Sequence, residues 1–527
     1  MGGTAVAQWT DSYQHNFPIS LTEDSGASLP KVHQTPDGKF WVAWLQWEDG
    51  MNGYIKVQLL DKNGTPAFED GGIYISKHIT ASWTSNFDMQ VTPDGCCVVA
   101  HSDSRNDTEA RQTFEPYVYK MDQEGNMLWG LDGIKLPTSE ARGHRPKIGV
   151  SNEGTVIVGY NDLSQNNNSM QFQLMKINND GTLAWPAPMK VDGSFGVLLP
   201  CEEDDFYLSI IQNGAICLYR MDSLGDWVWD SPVIVEDREP NTRSEVVPIP
   251  DENGGVFMSY QRYINLSIIK GCMQHITADG ETTMGLHGID IQDDPGIVSQ
   301  PGIGVNGKLK EVVAAWNTTD GETARMMVQK FTYDGEPIWK EAKDLAQFRI
   351  FGFNCAQGKL LDDGSSILLY ADPIGAVSGT LSMMRLDKEG NKVWNKAIAP
   401  SAYLSEPIPF YEGNKAYIFW TDNYLTKGSS PYGTIWGQCV NLTSGNPASG
   451  VSTIAADGLE GVRVEDGAVS FSAEGAATLD IFTMAGARVA SFATPAGNNT
   501  VNTGLERGIY VIRIADSNGI RTGKIIL

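Results

Sequence analysis

The sequence predicts an all-β chain. An eight-bladed β-propeller occupies residues 7–447, with its N-terminal strand completing the last blade; a linker follows at 448–456, then a small Ig-like β-sandwich at 457–527. Three observations carry this prediction. A glycine turn of the form D-x-x-G-x-x-x-W recurs along the first part of the chain. A short apolar run, usually ending in an aromatic residue, recurs in step with it. Short runs alternate with period two, and no stretch shows the apolar period of a helix.

The turn is clearest at Asp122–Trp129, Asp222–Trp229 and Asp387–Trp394. Looser copies are Asp61–Phe68, Asn178–Trp185, Thr277–Met284 and Thr332–Trp339. Its glycines are Gly64, Gly125, Gly181, Gly225, Gly280, Gly335 and Gly390; Gly445 follows with a one-residue slip, and the interval settles at 55 residues from Gly225 onward. The second landmark includes Val42-Ala43-Trp44, Val99-Ala100-His101, Val158-Gly159-Tyr160, Ser209-Ile210-Ile211 and Ala314-Ala315-Trp316. Both landmarks occur eight times.

Each unit reads as four short strands. In the third, Pro146–Val150 is the first strand, Thr155–Tyr160 the second, Gln171–Ile177 the third, and the fourth lies around Trp185 to Val191. Such units are the signature of a propeller blade. One fourth strand is missing from the series, and Gln8-Trp9 through Ser20 supplies it, so the ring closes without an open edge. In the turn, Asp or Asn bonds the backbone two residues on, Gly takes a positive φ, and the Trp packs between blades. A motif present in every unit marks no single active site. The turn resembles the tryptophan-docking turns of pyrroloquinoline-quinone-type eight-bladed propellers, with one residue fewer between Asp and Gly. It differs from the sialidase Asp-box, S-x-D-x-G-x-x-W.

Of 527 residues, 64 are acidic and 39 are Lys or Arg, for a net charge of −25. That balance excludes a nucleic-acid binder, which needs a basic footprint, and docking on anionic membranes through a polybasic face. Apolar residues at 41% and charged residues at 20% suit a globular chain. No run is long and apolar enough for a transmembrane segment. The first residues lack the basic and apolar regions of a signal peptide. Seven cysteines, an odd number without C-x-x-C, argue against a disulfide framework or a structural zinc site. The pair Cys96-Cys97 resembles the vicinal cysteines of some quinone-dependent dehydrogenases, but an ordinary strand position is the better reading. No cofactor and no metal is expected, and the chain is expected to be a monomer.

After Gly445 the composition shifts to Ala, Gly and Thr, and Trp is absent. Seven short strands are predicted, from Gly461–Val464 to Lys524–Leu527. Ala477–Val489 holds a strand followed by a turn with Gly486; Leu505-Glu506-Arg507-Gly508-Ile509-Tyr510 has the form L-x-x-G-x-Y; and Lys524-Ile525-Ile526-Leu527 is basic, then apolar. This combination resembles the C-terminal sorting domain carried by cargo of the type IX secretion system of Bacteroidetes. The resemblance implies that Gly486, Leu505, Gly508, Tyr510 and Lys524 belong to a sorting signal read by the secretion machinery. It implies a secreted or surface-attached protein whose inner-membrane signal peptide is absent from this chain.

Candidate binding residues come from the loops at one rim of the ring. Those after the second strands hold Trp47, Asp103, Arg105, Asp162, Arg262, Asp372 and Asp422; those before the innermost strands hold Asn86, Arg145, Arg243, Glu245, Gln300, Asn354 and Glu406. Carboxylates, amides and aromatics suit sugar hydroxyls. Asp103, Asp162, Asp372 and Asp422 occupy equivalent positions, which favours loop capping for each of them. Two functions are compatible with this set. One is binding of an extracellular glycan or protein without chemistry. The other is a carbohydrate-active enzyme, hydrolase or lyase, using carboxylates such as Glu245, Glu406 and Asp103. The absence of a catalytic signature favours binding. The run Gly302–Gly307 fits G-x-G-x-x-G but reads as a strand and its hairpin turn, not a dinucleotide site.

Overall fold

The structure is a computed structural model. It describes residues 9–10, 12–13, 16–20, 26–48, 52–69, 71–80, 87–107, 113–139, 142–163, 170–201, 204–238, 245–292, 296–349, 351, 357–373, 378–403, 407–422, 425–427, 430–448, 461–465, 467–483, 488–505, 509–517 and 519–526. No α-helix occurs among them. The chain divides into two compact units, Met1–Ala448 and Ser449–Leu527.

The second strands show why the first unit folds as it does. Phe40–Glu48 buries every residue but the last, and Cys97–Asp103 buries every one. Side chains of a strand alternate between its faces, so a strand apolar on both faces needs a packed neighbour on each side. A ring of radial sheets provides that. Blade 1 is Gly26–Gln34, Phe40–Glu48, Asn52–Leu60 and Ile73–Thr80, paired antiparallel in that order. Seven further blades follow the same plan among the described residues. Blades 5 and 6 are joined into one sheet by Ile297–Val298, which pairs parallel with Ile268–Ile276 and antiparallel with Glu311–Thr319. The sequence does not announce this seam.

The core is divided among the blade interfaces. One apolar cluster fills each of the eight seams. Between blades 1 and 2, for example, Trp41, Val57 and Ile75 meet Met89, Val99 and Tyr119. First strands of neighbouring blades touch one another in blades 1–2, 2–3, 3–4, 6–7 and 8–1, so these strands are innermost. At blades 6 and 7 the approach is closest: a Cβ placed on Gly304 would lie 2.3 Å from the Gly358 backbone. The G-x-G-x-x-G run therefore serves strand packing, as the sequence reading holds.

The last blade takes its outer strand from the N-terminus. Phe17–Pro18 pairs with Trp436–Gly437, and Ile19 N–H donates to the Ile435 carbonyl at 2.8 Å. The turn motif then clasps the ring. All eight turn glycines have positive φ, between 69° and 99°. Each carries against it the aromatic or Met of the preceding blade's motif: Phe68 on Gly125, Trp129 on Gly181, Trp185 on Gly225, Trp229 on Gly280, Met284 on Gly335, Trp339 on Gly390 and Trp394 on Gly445. Trp9 completes the series on Gly64. The indole N–H groups of Trp129, Trp339 and Trp394 donate to the carbonyls of Asn179, Lys388 and Leu442 in those turns. Within the turn, Asp122 Oδ1 accepts from the Glu124 and Asn126 N–H groups, as the Asx-turn chemistry requires. Fourth strands are shorter than the sequence suggests. Blade 3 has only Met189–Val191, because Trp185 sits in the irregular segment that carries it to the next blade.

The second unit is a two-sheet sandwich of seven strands among the described residues. Arg463–Glu465, Ala468–Ala473 and Gly497–Asn502 form one sheet; Arg488–Thr494, Ala477–Thr483, Ile509–Asp516 and Gly519–Ile526 form the other. Val469 and Phe471 from the first meet Leu479, Ile481, Ile512 and Ile514 from the second. Leu505 and Tyr510 pack at the edge of this core, and Lys524 lies in the last strand opposite Val511. Gly486 and Gly508 lie outside the described residues.

Candidate functional site

Three innermost strands share an irregularity. The pairing register slips between Ser28 and Lys31 in blade 1, His144 and Lys147 in blade 3, and Ser194 and Val197 in blade 4. One residue inside each slip adopts the left-handed backbone: Leu29 at φ 54°, Arg145 at 52° and Phe195 at 59°. Non-glycine residues there cost on the order of 1 kcal/mol or more, and a bulge re-aims a side chain. The Phe195 N–H donates to Asn161 Oδ1 at 3.1 Å, which fixes the blade 4 bulge against blade 3.

The result is a cluster drawn from three blades. The Arg145 guanidinium lies 5.3 Å from the Phe195 ring centroid, a cation–π arrangement. Its Nη1 is 3.8 Å from Glu245 Oε1, and Lys147 Nζ is 2.7 Å from Glu245 Oε2. Glu245 enters blade 5. Arg145 and Phe195 remain partly exposed, so the stacked pair presents a surface to a ligand. His144, beside Arg145, has its pKa lowered to about 4 by burial, with Arg145 and Arg142 adding to the effect. His33, on the innermost strand of blade 1, is likewise lowered to about 4 by burial. Asp88 Oδ2 accepts from the Ile148 N–H at 2.9 Å and ties blade 2 to blade 3.

Of the residues named from the sequence, Arg145 and Glu245 are brought together here. Others are engaged elsewhere. Asp103 and Arg105 pair with each other on blade 2, where Arg105 also stacks over Tyr117 at 3.6 Å and donates to Tyr119 Oη. Asp162 Oδ2 accepts from Gln173 and from the Ser139 N–H, and Asp422 Oδ1 from the Thr434 N–H; both cap loops. Burial raises the pKa of Asp422 and of the more exposed Asp372. Arg262 pairs with Asp290 within blade 5. Gln300 donates to the Ser259 carbonyl at 3.0 Å, tying blade 6 to blade 5. Trp47 is 6% exposed in the blade 1–2 core and donates to Ser28 Oγ, so it is a packing residue in this structure. Asn86, Arg243, Asn354 and Glu406 lie outside the described residues.

Sequence reasoning missed Phe195, Lys147 and Arg142. A usable signal was present for two of them. The run Arg142-Gly143-His144-Arg145-Pro146-Lys147 is a dense basic stretch in a chain of net charge −25. Phe195 had no local signal, because its role follows from the bulge.

Chemically, the cluster offers an aromatic face, cationic donors and a carboxylate already neutralised by two cations. The six described cysteines are free thiols, and burial pushes the pKa of Cys96 up to about 11, well away from nucleophile chemistry.

No protein-family model matches the chain, and no curated protein sequence matches it. Solved structures with a similar backbone include the polysaccharide lyase Uly1, at TM-score 0.42 and 10% identity over 79% of this chain and 90% of that one. A streptogramin B lyase follows at TM-score 0.36 and 16% identity, over 67% of this chain and 93% of that one. A Dyadobacter fermentans protein of unknown function matches at TM-score 0.36 and 14% identity, over 60% of this chain and 96% of that one.

Proposed function

We propose that the chain is an exported β-propeller that binds an extracellular glycan at the rim of its central channel, without turning it over. The observation that carries this reading is the Arg145–Phe195 pair, held on two left-handed bulges of neighbouring innermost strands. An aromatic face beside a guanidinium and a carboxylate suits the apolar face and hydroxyls of a sugar ring. The pairing of Glu245 with Lys147 and Arg145 supports binding over hydrolysis, since the second carboxylate of the cluster, Asp162, is tied through Oδ2 to Gln173 and the Ser139 N–H.

A glycan array probed with the intact chain, followed by calorimetry, tests this. Binding to at least one glycan, lost on Phe195→Ala, is the expected result. Release of product from a bound glycan would replace the binding reading with a carbohydrate-active enzyme. Binding to a protein ligand and to no glycan would also overturn it.

Export is part of the same proposal, supported by the sorting-domain resemblance of the last residues. The secretion machinery would read unit Ser449–Leu527, and the product would reside outside the cell. Deleting residues 457–527 is expected to leave the propeller folded and retained in the periplasm; normal export of the shortened chain would refute the assignment.

A further inference from the structure

We infer that the ligand of this rim is an anionic glycan, whose carboxylate or sulfate group enters a polar recess built on the basic innermost strand of blade 3. The inference rests on the glycan-binding reading above and specifies its chemistry.

Two observations carry it. The first is charge. Arg142, Arg145 and Lys147 stand within one short segment, and among the described residues the acids beside them are Glu245, Asp162 and Asp88, the last taken up by the Ile148 N–H. Cations equal acids here, in a chain with 39 Lys and Arg against 64 Asp and Glu. Elsewhere basic residues are commonly spent on single acids, as in Lys120–Asp94, Arg220–Asp205 and Arg385–Asp363.

The second is unmet hydrogen bonding. Arg142 Nε and His144 Nδ1 are buried and have no hydrogen-bond partner. Neither has Thr113 Oγ1, whose neighbour Phe114 bridges to Arg142, nor Ser102 Oγ, whose residue is fully buried. Asp162 Oδ1, on a residue 4% exposed and paired in register with Gly143, is also unpartnered. Buried polar groups are normally satisfied, and a local concentration of orphans marks a place where something binds. Arginine and hydroxyl donors suit an oxyanion, and the two unpartnered carboxylate oxygens, Asp162 Oδ1 and Glu245 Oε1, suit sugar hydroxyls beside it.

Calorimetry on the intact chain tests this with five probes: oligogalacturonate, its carboxyl-reduced counterpart, dextran sulfate, dextran and polyglutamate. The expected result is binding at least tenfold tighter for an anionic probe than for its neutral counterpart, with affinity falling as salt rises. Which anionic probe binds tells carboxylate from sulfate. Arg142→Gln is expected to lose about tenfold, and Arg142→Lys to recover part of it. The salt dependence of the unmodified chain keeps the test valid if Arg142→Gln fails to fold. Equal binding of charged and neutral probes, with no salt dependence, would overturn the anion inference and leave glycan binding standing. No binding to any glycan would overturn both. Polyglutamate binding as tightly as the anionic glycans would move the site to acidic peptides and overturn the inference.

Discussion

The Trp9 indole N–H donates to the Lys62 carbonyl at 2.9 Å, and its ring lies on Gly64, so a residue at one end of the chain holds the first blade to the last. The same clasp joins other neighbouring blades. Here it also closes the ring. Trp9 is buried among Phe17, Tyr417 and Phe419.

Trp9→Ala removes a buried indole from the closing seam. Its expected cost is about 3–5 kcal/mol, read as a lower denaturation midpoint. A change within 0.5 kcal/mol would show that closure rests on the Phe17–Pro18 pairing instead.

Gly181 has φ 86°, and a Cβ there would lie 2.8 Å from the Trp129 ring. Gly181→Ala is expected to destabilise by about 1–3 kcal/mol through backbone strain and the displaced indole. Alanine at Gly130, which also has positive φ but nothing within 4 Å, isolates the backbone share of that loss.

His101 is 1% exposed, neither ring nitrogen has a hydrogen-bond partner, and burial lowers its pKa to about 4 from the usual 6.5. Above pH 6.5 the ring is neutral in both folded and unfolded chains and stability is flat. As pH falls from 6.5 towards 4, only the unfolded chain takes up the proton. Stability therefore drops, by at most about 1.4 kcal/mol per pH unit for this group. Urea unfolding at several pH values should show that slope reduced in His101→Gln; an unchanged slope would exclude His101 as its source.

Trp47 and Phe195 separate packing from binding. Trp47→Phe loses the hydrogen bond to Ser28 and is expected to cost about 1 kcal/mol of stability, with glycan affinity unchanged. Phe195→Ala is expected to abolish binding. Loss of affinity in Trp47→Phe would place the site at the blade 1–2 seam.

Much of the fold was legible because its determinants are local and repeated. A positive-φ glycine, an Asx cap and an aromatic a few residues on can each be read from one turn. Second strands apolar on both faces, as in Val98 and Val99, specify neighbours on each side. The site was legible only in part. Arg145 and Glu245 were identifiable as polar residues entering innermost strands, but Trp47, taken from the loop after a second strand, turned out to be core.

The sequence by itself determined the repeat, the blade count, the N-terminal strand that completes the ring and the strand-rich character of the last residues. Tertiary structure alone decided which loop residues meet. Arg145, Phe195 and Glu245 come from three blades, and their contact depends on the curvature of the ring and on two bulges that turn side chains out of strand register. A bulge responds to the neighbouring blade, here the Asn161 side chain whose Oδ1 accepts from the Phe195 N–H, and that contact is formed only when the blades pack.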